Sequence, residues 1–117
     1  MQNYQGSDSD WIPAASGPSG ANAAVQLVIE PRAGAKVCIG FLCTSYTAAA
    51  AAGGLLVQDG SGNSWDVDLP LAGPSLFNLP GEGVCFTPGQ AVTLILKAGG
   101  AAVVGKIIAA YRYVYHR

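Results

Sequence analysis

Short runs of alternating apolar and polar residues, separated by Gly, Pro, Asn and Asp, dominate the chain from Val25 onward, and that spacing is the mark of half-buried β-strands. Val25-Gln26-Leu27-Val28-Ile29-Glu30 is rich in β-branched residues and closed by Pro31, which predicts a strand ending at a turn. Lys36 to Thr44 predicts the next strand, with Val37, Ile39, Phe41 and Cys43 on one face and Lys36, Cys38, Gly40, Leu42 and Thr44 on the other. Both faces are largely apolar, as in a central strand or one buried at a subunit contact. Ala48 to Ala52, followed by Gly53-Gly54, predicts one helical turn with a glycine stop.

Leu55 to Gln58, the turn-forming Asp59-Gly60-Ser61-Gly62-Asn63 and Ser64 to Leu69 read as a hairpin, with Trp65, Val67 and Leu69 on its apolar side and Ser64, Asp66 and Asp68 on the other. Short elements follow at Ser75–Leu79 and Val84–Phe86. Ala91 to Lys97 then predicts a strand with Val92, Leu94 and Leu96 inward. Val103 to His116 is the longest strand candidate, with Ile107, Ala109, Tyr111, Tyr113 and Tyr115 sharing a face. About eight strands at regular turn spacing predict an all-β, single-domain, jelly-roll-like antiparallel β-sandwich over residues 23–117. Residues 1–22 are rich in turn formers and offer little to bury, so they predict an extended N-terminal arm. Within it Tyr4, Trp11 and Ile12 are the candidate docking residues, on the arm's own domain or on a neighbouring subunit.

Composition narrows the function. Of 117 residues 50% are hydrophobic and only 11% charged, less than half the share usual in a soluble domain, and the formal net charge is -1. No surplus of Lys and Arg is present to neutralise phosphates, so a nucleic-acid partner is not expected. The uncharged stretch Val37–Gln58 is interrupted by Thr44, Ser45, Tyr46 and Thr47 and lacks flanking basic clusters, so a membrane partner is not expected either. Met1 to Gly20 lacks an apolar signal-peptide core. Cys38, Cys43 and Cys85 have no metal-ligand spacing. Five extended residues separate the first two too far for a disulfide, so three small buried thiols in reduced surroundings are expected.

Chemistry is sparse. The single histidine, His116, lies one residue from the C-terminus, a poor place to hold a base, and no catalytic residue is expected. Asp66 and Asp68 read as a solvent-facing strand face. The turn at 59–63 fails the register of a calcium loop, and neither glycine pair forms a phosphate loop, so no metal and no cofactor is expected. All seven acids precede residue 97, whereas Lys97, Lys106, Arg112 and Arg117 follow with no acid among them, which suits assembly between oppositely charged segments.

The order of these elements resembles small phage capsid decoration, or cement, proteins of the jelly-roll type. The resemblance runs from Val25 to Tyr115 through Val25–Ile29, Ala33–Val37, Ile39–Phe41, an alanine-rich bridge, Leu56–Gly62, Leu69–Gly73, Pro88–Leu94 and a terminal strand ending in aromatics. The three cysteines and the Pro80–Phe86 insertion depart from that pattern. It implies a non-enzymatic virion protein on the capsid outer surface, assembled in the host cytoplasm, with the major capsid protein as partner and self-association as a homotrimer. Arg112, Tyr111, Tyr113 and Tyr115 become candidate oligomer contacts, the tyrosine face packing in the core or against sister subunits. The second reading is a tail-fibre or tail-tip module recognising host surface carbohydrate, with exposed aromatics stacking on sugar rings.

Overall fold

A computed structural model describes residues 11–50, 53–69, 71–79, 81 and 83–115 of the chain. They form nine strands and no helix: β1 (Ile12–Ala15), β2 (Val25–Ile29), β3 (Ala35–Tyr46), β4 (Gly54–Asp59), β5 (Ser64–Asp68), β6 (Gly73–Asn78), β7 (Val84–Cys85), β8 (Val92–Leu96) and β9 (Gly105–Tyr115). One sheet has the order β1-β9-β3-β6, with β7 also paired to β3, and the other has the order β2-β8-β4-β5. Every pairing is antiparallel. β6 pairs with Phe41–Tyr46 and β7 with Cys38–Ile39 on the same side of β3, so the two lie end to end along it and count as one interrupted strand. Counted so, eight strands are shared four and four between two sheets in jelly-roll order, with β4 and β5 a hairpin within one sheet, as the alternation and turn spacing predict.

Period two explains the core. Val25, Leu96, Leu55 and Val67 form one inward row across the second sheet and Leu27, Leu94, Val57 and Trp65 the next. Leu55, Val57, Val92 and Leu94 are fully buried. Facing them from the first sheet are Val37, Ile39, Leu42, Ile107 and Ala109, equally buried. Each large aliphatic side chain so enclosed contributes roughly 1.5 to 3 kcal/mol.

Four expectations are corrected. The strict alternation expected of β3 breaks at a β-bulge, where the pairing with β9 shifts register between Ile39 and Phe41. Beyond it Leu42 and Tyr46 are buried, while Phe41 and Cys43 lie partly exposed on the outer side. Gly40 sits at the bulge because Trp11 lies on its Cα: a Cβ there would run into the six-membered ring of the indole.

The cysteines are not three free thiols. Cys38 and Cys85 are register partners across β3 and β7, with Cα atoms 4.0 Å apart, and they form a disulfide. Only Cys43 is a free thiol. Spacing along the chain excludes Cys38–Cys43 and is silent about a partner 47 residues away.

Residues 11–22 do not extend away as an arm. β1 is an edge strand on β9, with Ile12 opposite Tyr111 and Ala15 opposite Ile108. Past β1 the ladder continues through serine side chains. Ser16 N–H donates to Ile107 O (2.9 Å) while Ser16 Oγ accepts Ile107 N–H (2.9 Å), and Ser19 repeats this on Gly105 (2.8 Å each). Ser16 and Ser19 thus satisfy backbone groups that a departing chain would leave open. A turn signal in sequence is here an edge-strand signal.

Of the helical turn expected over Ala48–Ala52, Ala48–Ala50 are not helical, and Ala51 and Ala52 lie outside the described residues. Ala50 is buried, and Gly53, Gly99 and Gly105 crowd the ring of Tyr46, where a Cβ at each would come within about 3.3 Å of that ring. The Tyr46 hydroxyl donates to Lys97 O (2.6 Å) and accepts Gly54 N–H (3.0 Å), so a buried phenol is fully satisfied. Gly53 sits in this close packing, its N–H donating to Ala50 O (2.8 Å), and a Cβ on Gly54 would instead meet Val67 O.

Candidate functional site

The open edge of the sandwich, where β5 of the second sheet faces β6 and β7 of the first, carries a concavity. Trp65 ends the inward row Leu27-Leu94-Val57 at this edge, so one side of its indole packs on the core and the other has no further strand to cover it. Phe77 reaches the same place from β6, opposite Leu42, and meets Trp65 edge to face with centroids 6.0 Å apart at 70°. A groove of about 490 Å3 opens here, lined by Asn63, Ser64, Trp65, Val84, Cys85 and Phe86. Phe86 is buried and forms the floor, whereas Asn63, Ser64 and Val84 are exposed at the mouth.

One carboxylate holds the polar wall. Asp59 is buried at the end of β4 and folds the following turn around itself: Oδ1 accepts Ser61 N–H (2.9 Å) and Asn63 N–H (3.1 Å), and Oδ2 accepts Asn63 Nδ2–H (3.0 Å) and Thr87 N–H (3.0 Å). Asn63 Nδ2 also donates to Thr87 Oγ1 (2.8 Å). Burial alone would raise the Asp59 carboxyl, but these donors, Thr87 N–H and the Asn63 amide foremost, outweigh it and hold the group well below the usual carboxylate range. The cluster ties the β4–β5 turn to the segment after β7 and so sets the width of the groove. Asp59 appears in the sequence only as a turn former, and nothing local marks its partner at Thr87.

The residues expected to carry function lie elsewhere. Tyr4 and His116 are outside the described residues. Trp11 is 39% exposed on the outer side of the first sheet, with the Arg112 guanidinium 4.7 Å from its ring centroid. Arg112 Nε is buried there without a hydrogen-bond partner. Ile12 packs partly buried against the core.

Tyr113 is buried; its hydroxyl donates to Glu30 O (2.6 Å), its ring lies 4.0 Å beneath the Arg32 guanidinium, and burial raises its phenol above the ordinary value. Tyr111 packs edge to face on Tyr113, and Tyr115 is exposed with its hydroxyl 3.4 Å from Arg32. Tyr113, with Tyr111 packed on it, therefore occupies one end of the core while Tyr115 stands exposed beyond it, and neither these tyrosines nor Arg112 lines the groove. Trp65, Asn63, Ser64, Val84 and Phe86 had no functional reading in sequence, because an inward aromatic on a strand signals core whether or not the neighbouring strand covers it. Among the described residues no group of three or more His, Cys, Asp or Glu stands ready to hold a metal ion.

No family model and no curated protein matches the chain. Among solved structures it is similar to the carbohydrate-binding module TmCBM61 in complex with β-1,4-galactotriose, at 16% identity and a TM-score of 0.44 over 95% of this chain and 92% of that one. The expectation of a capsid decoration protein is corrected at this point: the structural match is a carbohydrate-binding module, and no phage or capsid protein is found. The ligand of that module is a property of that protein, and what this chain binds is argued from its own groove.

Proposed function

We propose that this protein is a non-catalytic binding module that takes a neutral carbohydrate in the Trp65 groove. The observation that carries the reading is the lining itself. A half-buried indole and the Phe86 ring supply apolar surface for the C–H face of a sugar ring, and Asn63 and Ser64 at the mouth supply donors and acceptors for hydroxyls. None of the six lining side chains ionises in use, since Cys85 is in a disulfide. A charged ligand finds no counter-charge on that lining, and a bond-breaking step finds neither acid nor base. The volume falls in the range of small-ligand sites, roughly 300 to 1,000 Å3.

A glycan array probed with the purified protein tests the reading, followed by calorimetry on the best ligand with Ser64→Tyr and Val84→Arg, two substitutions at exposed mouth positions. Binding of an uncharged oligosaccharide, lost in both variants while the melting temperature stays unchanged, is the expected result. An array without signal, or variants that bind as the parent does, removes the groove from consideration.

A further inference from the structure

The outer face of the first sheet breaks the rule that an exposed sheet face is polar. One cross-strand row on it reads Ala15, Ile108, Cys43, Leu76, without a single polar side chain. Ile108 is 48% and Leu76 62% exposed. The charges described on this face are all positive: Lys106 and Arg112 flank the row on either side along β9, and Lys36 stands on β3 opposite Val114. The outer face of the second sheet is its electrical opposite. Asp66 and Asp68 project from β5, and Lys97 just past β8 meets them on the same face, its ammonium 2.9 Å from Asp66 Oδ1, so two carboxylates stand against one cation.

We propose that the first sheet's outer face docks on the second sheet's outer face of another copy of this chain, head to tail. Charge complementarity selects this arrangement. First sheet on first sheet sets Lys106 and Arg112 against their own kind, and second on second sets two faces of net negative charge against each other, whereas first on second joins opposite net signs. A patch of four strands about 20 Å long covers roughly 400 Å2 on each copy, half of what a standard interface buries per partner, so each contact is reversible and responds to concentration. Because the two faces differ, the contact is heterologous and propagates into a ring or an open filament instead of stopping at a dimer. The Trp65 groove lies on the sandwich edge and stays open in such a stack, so the inference stands independently of the carbohydrate reading.

Sedimentation velocity on the full chain, from micromolar to millimolar concentration at low and at high salt, is the test. The expected result is growth past dimer with concentration that weakens as salt rises. Lys106→Glu and Asp68→Lys each weaken assembly roughly five- to tenfold, and an equimolar mixture of the two recovers it, because each altered face then meets its complement. Leu76→Asn, which changes no charge, also weakens it, and alkylation of Cys43 slows as the wild-type chain is concentrated. A single monomeric species at millimolar concentration overturns the proposal. So does an Asp68→Lys variant that assembles like the parent while Lys106→Glu does not, since the first sheet then meets itself.

Discussion

In the second sheet the residues do what their spacing says. Leu94 is fully buried between the partly exposed Thr93 and Ile95, Trp65 and Val67 turn inward between exposed Ser64, Asp66 and Asp68, and the pairings of β4 with β5 and β8 run without a shift. The first sheet carries the irregularities: an edge strand built from a turn-rich segment, a bulge at Gly40, a strand interrupted between β6 and β7, a cross-strand disulfide and an apolar outer face. Local alternation suffices in the second sheet, whose outer side sets Gln58, Asp66, Asp68 and Thr93 among Val28, Leu56 and Ile95. Where an outer row is apolar throughout, as Ala15-Ile108-Cys43-Leu76 is in the first sheet, alternation no longer specifies register, and long-range links must do so.

Removing those links should therefore hurt more than their position near the surface suggests. The double variant Cys38→Ser/Cys85→Ser opens a loop of 47 residues' separation and should lose about 4 kcal/mol of stability in denaturant titration, with the unfolding midpoint of the parent falling likewise under reductant. A loss below about 1 kcal/mol would show that the bulge and β9 pairing hold register unaided. Next in size, Gly40→Val drives a side chain into the Trp11 ring and should cost between about 1 and 3 kcal/mol. Trp11 fluorescence should shift toward that of a solvated indole as β1 loosens, and an unshifted spectrum would mean that the indole does not rest on Gly40.

On the regular sheet the sensitive point is electrostatic. Asp59 has its folded pKa depressed, so its contribution is complete above the unfolded value of about 4 and is lost as the pH falls from there through the lower folded value. Asp59→Asn turns an amide N–H toward groups that already donate, and it should destabilise the chain at neutral pH by roughly 1 to 2 kcal/mol. It should also flatten the stability profile below about pH 4. A variant whose melting temperature declines in acid as steeply as the parent's would assign the acid limb to another carboxylate. The smallest effect belongs to the outer face of the first sheet. Leu76→Gln should change monomer stability by less than about 0.5 kcal/mol, in contrast to the 2 to 5 kcal/mol expected of Leu94→Ala in the core.

The hairpin of β4 and β5, the inward faces of β8 and β9 and the total of about eight strands were legible because each depends on residues adjacent in sequence. The Trp65 groove was half legible. The inward direction of Trp65 follows from alternation, but its position at an edge depends on β5 having no further neighbour in its sheet. Asp59 was legible as a turn residue and illegible as the carboxylate that ties Thr87 across 28 positions of chain. Ser16 and Ser19, in a stretch reading as loose arm, complete a ladder with β9 some 86 to 91 residues away.

The amino-acid sequence by itself determines that this chain folds mainly into strands, which side of most strands is dry, and that charge is scarce on its surface. The tertiary structure alone decides the bulge register of β3, the pairing of Cys38 with Cys85, the docking of residues 11–22 and the opening beside Trp65. The physical reason is one of range. Backbone alternation and turn preference are set by neighbours a few residues apart, whereas sheet edges, cross-strand partners and uncovered faces are properties of where distant segments meet.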